Sequence, residues 1–116
     1  MTTREVADKL VGFCLQGENL KAEDLLYHPE VVSVEANGME VKGLDAVKGK
    51  TQWFLDNHEI HSAKVAEYYV GHNSFSVIFE MEVTPKGGQR TRMKELGVYT
   101  VADGKIVHEQ FQNLAG

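Results

Sequence analysis

The alternation of apolar and polar residues is cleanest in the last third of the chain. From Ser74 to Val83, residues Phe75, Val77, Phe79, Met81 and Val83 fall on one face and Ser76, Glu80 and Glu82 on the other, which is the two-residue period of a half-buried strand. Pro85-Lys86-Gly87-Gly88 then reads as a turn. The segment from about Arg90 to Val101 puts Met93, Glu95, Gly97, Tyr99 and Val101 together. Asp103-Gly104 is a two-residue hairpin signal, and the strand after it puts Val107, Glu109, Phe111 and Asn113 on one face. A fourth strand is expected from about Ile60 to Val70, before the Gly71-His72-Asn73 turn, with His61 sharing the parity of Ala63, Val65, Glu67 and Tyr69.

The N-terminal half changes period. Thr2-Thr3-Arg4-Glu5 fits a capping box, Val6, Leu10, Phe13 and Cys14 recur at helical spacing, and Gly17 closes the helix. A second helix covers about Leu20 to Tyr27 and is broken by His28-Pro29. Val31 to Glu35 reads as a short strand and Asn37-Gly38 as a turn. A third helix runs from Gly43-Leu44-Asp45 to near Asn57, with a face that Leu44, Val47, Trp53, Phe54 and Leu55 define only partly. The order predicts one α+β domain over residues 1–116, a cone-shaped, curved antiparallel sheet with three N-terminal-half helices packed on its concave face. Such a cone opens between sheet and helices, a common place for a small ligand.

Charge changes the picture in two ways. The formal charge of −5, with no Lys/Arg cluster, argues against a nucleic-acid or anionic-membrane partner. No apolar run approaches the roughly 18 residues a bilayer span needs, and no secretory leader is legible, so the expected setting is cytoplasmic. More telling is where the acids fall. Glu95 and Glu109 share faces with Tyr99, Phe111 and Val101, so they are expected in a polar-spotted pocket wall, since a dry core would need them paired or neutral. Trp53, Phe79, Met81, Tyr99, Phe111 and Asn113 are expected to line that pocket, with His61 as its histidine.

About the Asp103-Gly104 turn, residues summing to 207 or 208 stand opposite each other. Glu95 therefore faces Phe111 to Asn113, and the two carboxylates do not share a proton. His58 and His61 on one strand point to opposite faces, so no metal site is expected. Gly87-Gly88 lacks the helix and lysine of a phosphate loop, and Cys14 reads as a buried, inert thiol. Ile78, Leu96 and Val98 have the outward parity, and apolar residues on an outer face predict a homodimer.

Leu26-Tyr27-His28-Pro29-Glu30-Val31-Val32, Val41-Lys42-Gly43-Leu44-Asp45-Ala46-Val47 and Asp103-Gly104-Lys105-Ile106-Val107 resemble the nuclear transport factor 2-like superfamily, in its SnoaL-like and ketosteroid isomerase-like branch. The superfamily includes isomerases, cyclases, dehydratases, hydrolases and non-catalytic binding proteins. Laid on the ketosteroid isomerase pattern from Leu26-Tyr27, the catalytic acid falls on Glu35. The helical tyrosine of that pattern falls near Leu10 and Val11, where there is none, and its second acid falls near Gly97, with Glu95 the nearest acid on that face. The resemblance thus implies Glu35 as a pocket acid, with Glu95 nearest the second acid position, beside Glu109, which strand parity places on the same wall. The expected activity is acid–base chemistry on an apolar or aromatic metabolite, without metal or organic cofactor, with Glu35 or Glu95 as base and Glu109, His61 or Tyr99 polarising the substrate. The alternative is a non-catalytic ligand-binding or dimerisation module.

Overall fold

The structure, a computed structural model, describes residues 1–114. Its elements are α1 (Thr3–Leu15), α2 (Asn19–Leu26), β1 (Tyr27–Val34), β2 (Glu40–Lys42), α3 (Leu44–Asn57), β3 (His58–Val70), β4 (Ser74–Pro85), β5 (Thr91–Ala102) and β6 (Lys105–Asn113). The capping box is present. The Glu5 amide donates to Thr2 Oγ1 at 3.1 Å, and the Thr2 amide donates to Glu5 Oε1 at 3.0 Å, so two of the helix's orphan donors are met by side chains. Pro29 lies inside β1, where the register between β1 and β6 shifts, so its missing N–H costs no ladder bond.

The six strands form one sheet in the order β2-β1-β6-β5-β4-β3. The expectation of an antiparallel sheet holds for every neighbouring pair except β1 and β6, which run parallel. The crossover through α3 carries the chain from one edge of the sheet to the other, and the β3–β6 meander then returns beside β1. Three-residue β2 was not expected, being too short to show a period.

The β5–β6 register follows the predicted sum. Tyr99 pairs with Glu109 and Glu95 with Asn113. Asp103 (φ 50°) and Gly104 (φ 75°) both take the left-handed conformation, as the mirror-image hairpin turn requires. Close to that turn a bulge makes the sum 207, so Ile106, not Val107, is the residue that faces inward, fully buried against Val101. The core joins Val6, Ala7 and Leu10 of α1 to Leu26, Val31, Val47, Phe75, Val77, Tyr99 and Ile106. Phe79 and Phe111 pack at its border, so the inner face of the sheet is the one the alternation predicted.

Candidate functional site

Beyond that core the helices stand away from the sheet and leave a cavity of about 590 Å³. The expected residues Trp53, Phe79, Met81, Tyr99, Phe111 and Asn113 all line it, as do Glu35, Glu95 and Glu109. Trp53 stays 62 % exposed, which makes it a rim residue and no part of the dry wall. His61 is the exception. It is exposed, and its Nε2 lies 2.7 Å from Thr84 Oγ1. Ile60 pairs with Val83 and Ser62 with Glu82, so His61 is the extra residue of a bulge, and Ile60 takes the cavity-facing position instead. A second bulge between Val65 and Glu67 turns Tyr68 toward the core and leaves Tyr69 exposed.

Glu109 is almost completely buried at 2 % exposure, yet both its oxygens are engaged. Tyr27 donates its hydroxyl to Oε1, and Ser33 donates to Oε2 at 2.7 Å. Lys50 completes the cluster, with Nζ 2.7 Å from Ser33 Oγ, 2.9 Å from Glu35 Oε1 and 3.7 Å from Glu109 Oε2. The same ammonium lies 5.1 Å from the centroid of the Phe111 ring, within cation–π range. Glu35 and Glu109 are thus held around one cation that reaches in from α3. β1 supplies Tyr27 and Ser33, and β6 supplies Glu109, because those strands are parallel neighbours with Ser33 opposite Glu109.

Glu95 differs. Among the described residues its carboxyl has no hydrogen-bond or ion-pair partner. Burial, reinforced by the charge of Glu35, pushes it up to about 7. Such a group exchanges a proton near neutrality. Two residues along the same strand face, Tyr99 is 3 % exposed and stacked on Phe75 at 4.8 Å. Burial first, and the charge of Glu109 second, push its phenol well above the usual tyrosine range, so it stays a donor. Its hydroxyl has no partner among the described residues. Tyr99 lines the cavity, and there Glu23 Oε1 is likewise unpartnered and buried.

Glu23, on α2, is a fourth acid of the cavity wall. Thr51 donates to its Oε2 at 2.5 Å, and burial pushes it up to about 7. Burial also pushes the Cys14 thiol up to about 12, consistent with an inert thiol. Among the described residues, no group of three or more His, Cys, Asp or Glu is arranged to hold a metal ion, and no helix is long and apolar enough to cross a membrane.

Sequence reasoning missed Lys50, Tyr27, Ser33 and Glu23. The incomplete apolar face of α3 was the available signal for Lys50 and Thr51. A helix that walls a polar cavity carries polar residues on its inner side, which blurs its period.

A family profile described as SnoaL-like domain matches residues 1–113. No curated protein matches the chain. Among solved structures, a candidate SnoaL-like polyketide cyclase from Mesorhizobium loti is 37 % identical, with a TM-score of 0.89 over 96 % of this chain and 98 % of that one. A candidate SnoaL-like polyketide cyclase from Jannaschia sp. CCS1 is 14 % identical, with a TM-score of 0.80 over 96 % and 84 %. A protein of ketosteroid isomerase-like fold from Catenulispora acidiphila DSM 44928, solved in complex with trimethylamine, is 17 % identical, with a TM-score of 0.76 over 95 % and 85 %. The last two speak to fold alone.

Proposed function

The chain belongs to the SnoaL-like domain family, and from that premise we propose that its cavity binds a small apolar or aromatic molecule and moves a proton on it, as an isomerase, cyclase or dehydratase does, without metal or organic cofactor. One observation carries the reading: Glu95 is a cavity-lining carboxyl with no partner among the described residues, and burial brings it to about 7. Glu35 and Glu109 also line the cavity, but both are engaged by Lys50 and serve better as its counter-charges than as bases.

In this reading the Glu95 carboxylate takes a proton from the carbon beside a substrate carbonyl. The C–H electron pair becomes the new carbon–carbon double bond, and the carbonyl oxygen takes the charge. The Tyr99 hydroxyl, which stays protonated, donates a hydrogen bond to that oxygen. Glu95 then returns the proton to the same carbon or to another in reach. The reading includes a cytoplasmic setting and a homodimer through the outer sheet face, where Ile78 and Leu96 are half-buried and Val98 is exposed. A stable monomer at micromolar concentration in analytical ultracentrifugation removes the dimer from the reading.

The test is exchange of solvent deuterium into the α-protons of 2-tetralone, an apolar bicyclic ketone, followed by proton NMR. The protein is expected to exceed the buffer rate, and Glu95→Gln to lose about a hundredfold or more of that excess. Binding without exchange favours a non-catalytic ligand-binding module instead.

A further inference from the structure

Gly97 sits in the middle of β5, an interior strand, where glycine weakens a sheet. Neither usual backbone reason for it applies. Gly97 is not among the glycines in the left-handed region. The ladder is also regular on both sides, with Val77 opposite it on β4 and Phe111 opposite it on β6. What reserves the position is space. A Cβ at residue 97 would stand 2.9 Å from the Tyr99 hydroxyl oxygen, 2.9 Å from Tyr99 Cε2 and 3.1 Å from Cζ.

The Tyr99 ring therefore leans back along its own strand and lies over Gly97. It cannot give way freely. It is stacked on Phe75 at 4.8 Å and 13°, and it meets the Phe111 ring edge-on at 6.1 Å. Glu95 is the next residue on the same strand face beyond Gly97. The gap left by the missing side chain is thus where the unpartnered hydroxyl stands, between the Tyr99 backbone and Glu95.

We propose that Gly97 is a positioning residue: its side-chain-free slot fixes the Tyr99 hydroxyl beside Glu95 as the cavity's hydrogen-bond donor, and so selects molecules that present a carbonyl oxygen there. The proposal rests on the reading that the cavity binds a small apolar molecule. The three atoms nearest to a methyl at residue 97 all belong to Tyr99, so that methyl displaces the hydroxyl first, removing recognition of the carbonyl and leaving recognition of the carbon skeleton.

The test compares 2-tetralone with tetralin, the same bicycle without the oxygen, by dissociation constants from ligand-observed NMR. The wild-type chain is expected to prefer the ketone about fivefold to tenfold, the worth of one neutral hydrogen bond. Gly97→Ala and Tyr99→Phe are each expected to abolish that preference while changing tetralin affinity by less than about twofold, and the double variant is expected to add nothing further. A Gly97→Ala variant that keeps the preference, or that weakens both probes alike as a packing defect would, overturns the proposal. If Gly97→Ala does not fold, adding Tyr99→Leu must restore folding and Tyr99→Phe alone must still abolish the preference; failure of either overturns it. Equal wild-type affinity for the two probes sinks this inference and leaves the cavity reading standing. Binding of neither sinks both.

Discussion

Glu109 and Glu95 lie on neighbouring strands and face one cavity, yet their surroundings are opposite. Glu109 is the more deeply buried, but Tyr27, Ser33 and Lys50 surround its carboxylate. Glu95 is less buried and has no partner among the described residues, and burial pushes it up to about 7. The difference teaches that depth alone does not free an acid for chemistry. A buried carboxylate with its donors in place is part of the architecture, while a half-buried one without donors is where a proton becomes labile. The β1–β6–α3 side of the cavity is a cross-linked wall, and the β5 strip of Glu95, Gly97 and Tyr99 is the face to which the proposed function assigns the chemistry.

Three substitutions probe that contrast. The largest effect is expected at Glu109. Glu109→Ala leaves Lys50, Tyr27 and Ser33 facing an empty site, and chemical denaturation is expected to show a loss of about 3–5 kcal/mol, the usual cost of breaking a buried charged cluster. A loss under about 1 kcal/mol would mean that water substitutes freely, and the wall would not be a wall. Next is Tyr27→Phe, which removes one donor to Glu109 and keeps the ring. About 1–3 kcal/mol is expected.

The smallest effect is at Glu95, and its sign is the informative part. Below about pH 4.5 the carboxyl is protonated in the folded and unfolded chain alike. Between about 4.5 and 7 the unfolded chain gives up the proton and the folded one keeps it, so this group erodes stability as pH rises, fully so above 7. Glu95→Gln cannot ionise. Relative to the wild type it is expected to gain about 1–2 kcal/mol between pH 4 and pH 8 in denaturation experiments, a figure reduced from the full shift because Glu95 is partly solvated. An equal effect at both pH values would erase the difference between the two acids.

Much of this was legible in the residues, and what was not has a physical cause. The strict period of Phe75 to Val83 and the Asp103-Gly104 turn set the inner face and the β5–β6 register within a residue, because side-chain alternation and turn type are local properties. The parallel pairing of β1 with β6 is non-local, and no local pattern encodes it. With it went the Ser33–Glu109 contact and hence the cluster around Lys50. His61 was misassigned for a different reason. One inserted residue inverts a strand's parity, and nothing in Ile60-His61-Ser62 marks the bulge. Gly97 was visible as a residue on the pocket face, but its meaning depends on where the Tyr99 ring goes, which only packing decides.

The central claim is that Glu95 holds a proton that the cavity makes labile. The most direct measurement is a carbon-13 NMR titration of the glutamate side-chain carboxyls, with the Glu95 resonance assigned by its loss in Glu95→Gln. The account predicts a midpoint near 7 for that carboxyl. A midpoint at the ordinary glutamate value near 4.5 would contradict it, and the proton-transfer reading would lose the unpartnered cavity acid it rests on.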